Sequence, residues 1–118
     1  MVTDVAYQPD RGDFVFLDFT PQAGTEQAGR RPALVLSPRD FNIATGLAAV
    51  CPLTNTRTAS RFEVPVPRGA QLTGVVLSHQ FKTIDWIARG ATFHSRADSE
   101  FMWEVLGRIE AILGIEIK

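Results

Sequence analysis

One cysteine among 118 residues, Cys51, leaves no disulfide framework within the chain and no cysteine-rich metal site. It sits in the apolar run LAAVCPL (47–53), where a thiol ordinarily serves as a small buried hydrophobe. Such sparse cysteine usage fits a reducing, cytoplasmic compartment. Long apolar runs are missing too. The longest reach about seven residues, against the ~20 of a membrane-spanning helix, so no membrane partner is expected. The opening MVTDVAYQPDRGD has no basic region followed by an apolar stretch, so no signal peptide is expected. The two histidines, His79 and His94, lie far apart and in no HExxH or CxxC pattern, so no metal is expected. GTEQAG (24–29) is not GxGxxG, and neither a Walker loop nor a GxSxG elbow occurs. No nucleotide cofactor is expected. There is no repeat, low-complexity tract or internal linker, so residues 1–118 read as one domain. A chain of that size buries roughly two-thirds of its unfolded surface.

Net charge is also small, −1, but it is unevenly spread. Residues 1–28 carry five acids against Arg11, a net of −4. Residues 29–96 carry nine bases against Asp40, Glu63 and Asp85, a net of +6. Residues 97–118 carry five acids against Arg108 and Lys118, a net of −3. A polyanion responds to the local field and not to the total, so a basic middle between acidic ends leaves a nucleic-acid partner open.

Aromatic and β-branched residues mark DFVFLDF (13–19) as a strand. Pro21, Gly24 and Gly29 make 20–30 a loop. PALVLS (32–37) is a second strand, apolar on both faces. RDFNIATG (39–46) reads as one helical turn stopped by Gly46. LAAVCPLT (47–54) is a third strand, with Pro52 at an edge, bulge or strand end. A polar loop follows over 54–61, then an alternating strand FEVPV (62–66). GVVLSHQFKTI (74–84) is one long strand or two broken near Ser78, and IARGATF (87–93) is a short strand or turn. The last segment differs. Apolar residues at 101, 102, 105, 106, 109, 112 and 113 have the period of an amphipathic helix, with Ser95 and Asp98 resembling a capping box and Gly114 a stop. Trp103 lies off this stripe and is a peripheral core or subunit contact. The expected fold is mainly β with a C-terminal helix: five to seven short strands in a small, strongly twisted antiparallel sheet or half-open barrel.

GTEQAGRRPALVLS (24–37) is the most informative stretch. An arginine at the start of a buried strand has its backbone fixed by the core while its guanidinium reaches outward. Such a group holds a phosphate with two prongs and stays charged at any working pH. Equally, Arg30 and Arg31 could solvate the strand end or pair with Glu26. Thr54, at the end of the third strand, mounts a hydroxyl in a similar way, as do Thr20, Thr56 and Thr58 nearby.

RGDFVFLDFTPQAGTEQAGRRPALVLSP resembles the N-terminal signature of the MazF/PemK (Kid) toxins, in which EQxGxRP leads into an apolar strand. CPLTNT, LTGVVLSHQFKTIDWIARG and EVLGRIEAIL resemble that family in order and spacing, so the likeness spans Arg11 to Leu113. The resemblance implies a twisted antiparallel sheet closed into a small barrel with a C-terminal helix, acting as a homodimer. It implies metal-independent, sequence-specific cleavage of single-stranded RNA. It also implies a cognate antitoxin whose acidic tail covers the RNA groove, with operator DNA met only through the toxin–antitoxin complex.

Carried over by position, Arg31 and Thr54 are the main catalytic candidates and Glu26 is the loop glutamate. At the position of His79 several members have aspartate, and at Leu77 PemK-type members can have arginine. An Asp–Arg acid–base pair is therefore unavailable here. The chemistry expected is attack of the RNA 2′-hydroxyl on the adjacent phosphorus, giving a 2′,3′-cyclic phosphate and a 5′-hydroxyl. Arg31 would stabilise the phosphorane and Thr54 would hold a phosphate oxygen. Glu26 or His79 would be the base; an imidazole has the better-placed ordinary pKa, near ~6.5. Gln27, Asn55 and Gln80 could hydrogen-bond bases, and Arg30, Arg57, Arg61 and Lys82 could line the backbone. Three other readings stand beside this one: a CcdB-like toxin that binds gyrase without catalysis, a binding-only barrel, and a degenerate member weakened by His79.

Overall fold

The computed structural model describes residues 7–19 and 29–115. The elements are β1 (Asp13–Phe19), β2 (Gly29–Val35), α1 (Arg39–Thr45), β3 (Leu47–Thr54), β4 (Glu63–Pro65), β5 (Val75–Leu77), β6 (Lys82–Asp85), β7 (Thr92–Arg96) and α2 (Ser99–Leu113). A 3₁₀ turn, Ser78–Gln80, separates β5 from β6. The expected break near Ser78 is therefore real.

All the strand pairs are antiparallel, in the order β4-β5-β3-β2-β1-β7, with β6 also on β3. The sheet is not closed, which corrects the closed barrel implied by the resemblance. At one end of the order, β4 runs only three residues and stops at Pro65, which has no N–H to extend a ladder.

β3 is the hub. It meets β2 on one edge; on the other, residues 47–50 pair with β6 and residues 53–54 with β5. Pro52 falls in the gap where β3 changes partner, so its missing donor costs that edge nothing.

The strands are apolar on both faces because both faces are covered. Phe14, Leu34, Cys51 and Leu53 pack with Phe101, Met102, Val105 and Ile109 of α2. Their neighbours Val15, Leu17, Ala33, Val35, Ala48 and Val50 pack with Ile84 in a second core, edged by Tyr7, Phe19, Trp86 and Ala91. Each fully buried aliphatic side chain contributes about 1.5–3 kcal/mol relative to exposure.

Three boundaries differ from expectation. β2 starts at Gly29, because its pairing with β1 continues through Leu17↔Arg31, Asp18↔Arg30 and Phe19↔Gly29. Both arginines are thus strand residues. The strand sought over 87–93 lies at Thr92–Arg96, after a turn in which the Asp85 carboxylate accepts from the Ala88 N–H at 2.9 Å. That strand takes Ser95 into a pair with Phe14, so the cap of α2 is Asp98 alone, accepting from the Phe101 N–H at 2.7 Å. Gly114, at φ 69°, ends the helix as expected.

Candidate active site

Consecutive strand residues point to opposite faces, and this separates Arg30 from Arg31. The Arg30 guanidinium is bound to Asp18 Oδ1 at 3.0 Å, to the Gly90 carbonyl at 2.5 Å and to Thr92 Oγ1 at 2.9 Å. Arg89 adds a bond to the Asp18 carbonyl at 3.1 Å. Arg30 thus fastens the mouth of the β1–β2 hairpin to the turn before β7, and it is not brought to the cleft described next.

Arg31 faces the other way, into an open cleft of about 280 Å³. The cleft arises where β2 and β3 part. Their ladder runs Val35↔Val50, Leu34↔Cys51, Ala33↔Pro52 and ends there. Carrying that register two residues on would set Arg31 opposite Thr54, and both line the cleft. Phe19, Pro52, Leu53 and Leu77 supply its apolar walls, with Gln80 and Lys82 at the polar side. Lys82 Nζ lies 5.0 Å from the centre of the Phe19 ring, a cation–π arrangement that limits where the ammonium can go. Among the described lining residues there are two cations and no carboxylate, which suits an anionic ligand.

Thr54 is held by a local turn: its Oγ1 accepts from the Thr56 N–H at 3.1 Å, which leaves the hydroxyl hydrogen to donate. Asn55, exposed, accepts through Oδ1 from the Thr73 hydroxyl at 3.1 Å. Beyond it, the loop bearing Arg57 and Arg61 is pinned by Glu63. That buried carboxylate accepts from the Thr58 N–H at 2.9 Å and the Thr58 hydroxyl at 2.5 Å. These bonds hold its pKa below the ordinary 4.5, with Arg57 assisting. Ala59 is kept at φ 63° beside it.

The structure therefore gathers Arg31, Thr54, Gln80 and Lys82, with Asn55 adjoining. His79 is exposed and is not among the cleft-lining residues; its ring packs beside Phe62. Glu26 and Gln27 lie outside the described residues. Among the described residues no group of three metal-ligating side chains occurs. Sequence reasoning missed Phe19 and Pro52 as cleft walls, and also Glu63. The acid in FEVPV was the available signal, since a carboxylate inside an apolar strand needs donors.

The family model for the PemK-like, MazF-like toxins of type II toxin–antitoxin systems matches residues 10–113. The chain belongs to this family. It is 42% identical over 108 residues to the endoribonuclease toxin MazF of Escherichia coli K12, covering 92% of this chain and 96% of that one. MazF from Deinococcus radiodurans superposes with a TM-score of 0.86 at 44% identity, covering 93% of this chain and all of that one. A MazE–MazF structure from the same organism gives 0.87 at 44% identity, over 94% of this chain and all of that one. Like its MazF and PemK relatives, this chain is an endoribonuclease toxin. The non-catalytic gyrase-binding alternative is not favoured. Arg31, in the third position of β2, and Thr54, the last residue of β3, both line the cleft.

Proposed function

We propose that this toxin cuts single-stranded RNA at a short sequence by attack of the substrate's own 2′-hydroxyl, without a metal. The single observation that carries this is that Arg31 and Thr54 share a cleft whose described lining residues include two cations and no carboxylate. A scissile phosphate between them would meet a guanidinium and a hydroxyl donor as its charge grows in the phosphorane. One well-placed donor of this kind lowers a barrier by about 3–4 kcal/mol. Arg31 acts as an electrostatic stabiliser, since a guanidinium holds its protons too tightly to be a good acid. The general base is Glu26. His79, the other candidate, has its ring on Phe62 and off the cleft, which favours the carboxylate. Single strands are required because a duplex hides the base edges and resists the in-line geometry. Gln80 reads a base from the cleft rim, and Lys82 neutralises a neighbouring phosphate.

The proposed partners are an antitoxin with an acidic segment, which would compete for the same cationic cleft, and a second copy of this chain. Operator DNA would be reached only through the toxin–antitoxin complex. The MazE–MazF structures of D. radiodurans support the antitoxin. Among the described residues no helix is long and apolar enough to cross a membrane, and the proposed site of action is the cytoplasm.

The test is cleavage of a long single-stranded RNA in EDTA, with mapping of the new ends. Sequence-specific cuts bearing 2′,3′-cyclic phosphates and 5′-hydroxyls are expected. Arg31→Ala should slow them about 10²–10³-fold. Cuts that need added metal, or that leave 5′-phosphates, would refute the mechanism. A rate whose acidic limb vanishes in His79→Ala but persists in Glu26→Gln would return the base role to His79.

A further inference from the structure

Phe62 and His79 stand beside the cleft without lining it. Phe62 is half-buried just before β4, and His79 is exposed in the Ser78–Gln80 turn. Their ring centres are 6.1 Å apart, tilted by 45°. The Arg61 guanidinium carbon lies 5.3 Å from the centre of the same phenyl ring. Ser78 fixes this arrangement. It is fully buried, and its N–H and hydroxyl both donate to the Phe62 carbonyl, at 3.2 and 2.5 Å. The residues flanking His79 in the same short segment, Leu77 and Gln80, line the cleft. One clamped turn thus presents Gln80 to the reacting site and the imidazole to Phe62.

A guanidinium, a phenyl ring and an imidazole in succession form a tilted aromatic face edged by a cation. Among the described residues neither Arg61 nor His79 is paired with a carboxylate. An acidic peptide would use the cations and leave the rings idle; a nucleotide uses both, stacking its base while its phosphate faces the guanidinium. We propose that Arg61, Phe62 and His79 form a stacking platform for the nucleobase flanking the cleaved step. This rests on the single-stranded RNA reading given above. It assigns His79 to substrate binding and not to proton transfer.

The test begins with a short RNA spanning one mapped cut, remade with an abasic nucleotide at each flanking position in turn. Single-turnover cleavage is followed in EDTA for the wild type, Arg61→Ala, Phe62→Leu and His79→Ala. On intact RNA each variant should need about tenfold more protein to reach half its maximal rate, with that maximal rate preserved. At one flanking position the abasic RNA should cost the wild type about tenfold and the variants nothing more. Arg61 and His79 are exposed, so their variants decide the matter should Phe62→Leu fail to fold. Variants that stay as sensitive as the wild type at every position would overturn the platform. So would a fall in maximal rate with half-saturation unchanged. If the variants bind RNA normally but lose affinity for an acidic peptide, the face serves a protein partner and the proposal fails. A wild type that cuts no RNA would refute the ribonuclease reading itself, a distinct result.

Discussion

Gly74 lies so close to Thr54 that a β-carbon on it would stand 2.6 Å from the Thr54 carbonyl oxygen and 3.0 Å from Asn55 Oδ1. Its φ of 111° is one that residues other than glycine rarely adopt. A residue distant in sequence therefore sets where Thr54 can sit. Gly74→Ala should push the Thr54–Asn55 corner outward, cost about 1–3 kcal/mol of stability, and slow cleavage at least about tenfold per folded molecule. Thermal melts together with single-turnover rates check this. A destabilised variant with full activity would show that the placement of Thr54 does not limit the reaction.

The two adjacent arginines should behave oppositely. Arg30 and its partner Asp18 are both exposed, so the ion pair and hydrogen bonds together contribute on the order of 1 kcal/mol at most. Arg30→Ala should lower the urea midpoint while cleavage per folded molecule stays within about threefold of the wild type. Arg31→Ala should abolish nearly all cleavage. Equal losses of activity from both would mean that Arg30 also touches RNA.

Acid should loosen the loop that carries Arg57 and Arg61. The pKa of Glu63 is depressed in the folded protein, chiefly by the Thr58 hydroxyl and N–H. Its stabilising contribution is therefore complete above the ordinary carboxylate value and is lost as pH falls through the lower, folded value. Glu63→Gln should flatten the acidic limb of the stability–pH curve, while the wild type declines below about pH 4.5. Urea titrations at a series of pH values measure the slope, and superposable acidic limbs would refute this.

Cys51 should be silent in the folded protein. Burial in the core beneath α2 pushes its thiol up to about 12, and it is wholly inaccessible. A maleimide at neutral pH should react only on unfolding, so labelling should keep pace with loss of the circular dichroism signal. Fast labelling of native protein would indicate local opening between α2 and β3.

The sequence made legible whatever depends on periodicity. β1 and β3 have their expected bounds because alternation is strong there, and α2 shows its stripe because one face is buried. The boundaries that moved were decided by partners distant in sequence. Gly29 to Arg31 look like loop until Leu17 to Phe19 pair with them, and Ser95 looks like a cap until Phe14 claims it. The site divides in the same way. EQxGxRP and the threonine after β3 marked Arg31 and Thr54, but only the three-dimensional arrangement distinguishes Arg31 from Arg30, or places His79 beside Phe62. Gly74 and Glu63 act through contacts that have no local signature.

A sheet with an apolar core on each face has a particular failure mode. Shifting β2 by one residue would exchange the sets Ala33/Val35 and Leu34 between two compartments that both accept aliphatic side chains. Burial alone would scarcely punish that error. The same slip would exchange the sides of Arg30 and Arg31, and in neither direction would both places keep a guanidinium: with Arg30 moved to the cleft, Asp18, Gly90 and Thr92 lose their partner, and with Arg31 moved to the rim, the cleft loses its cation. Only one alignment fills the cleft and the clasp together, so for this toxin proofreading of strand alignment falls to two adjacent arginines that must face opposite ways.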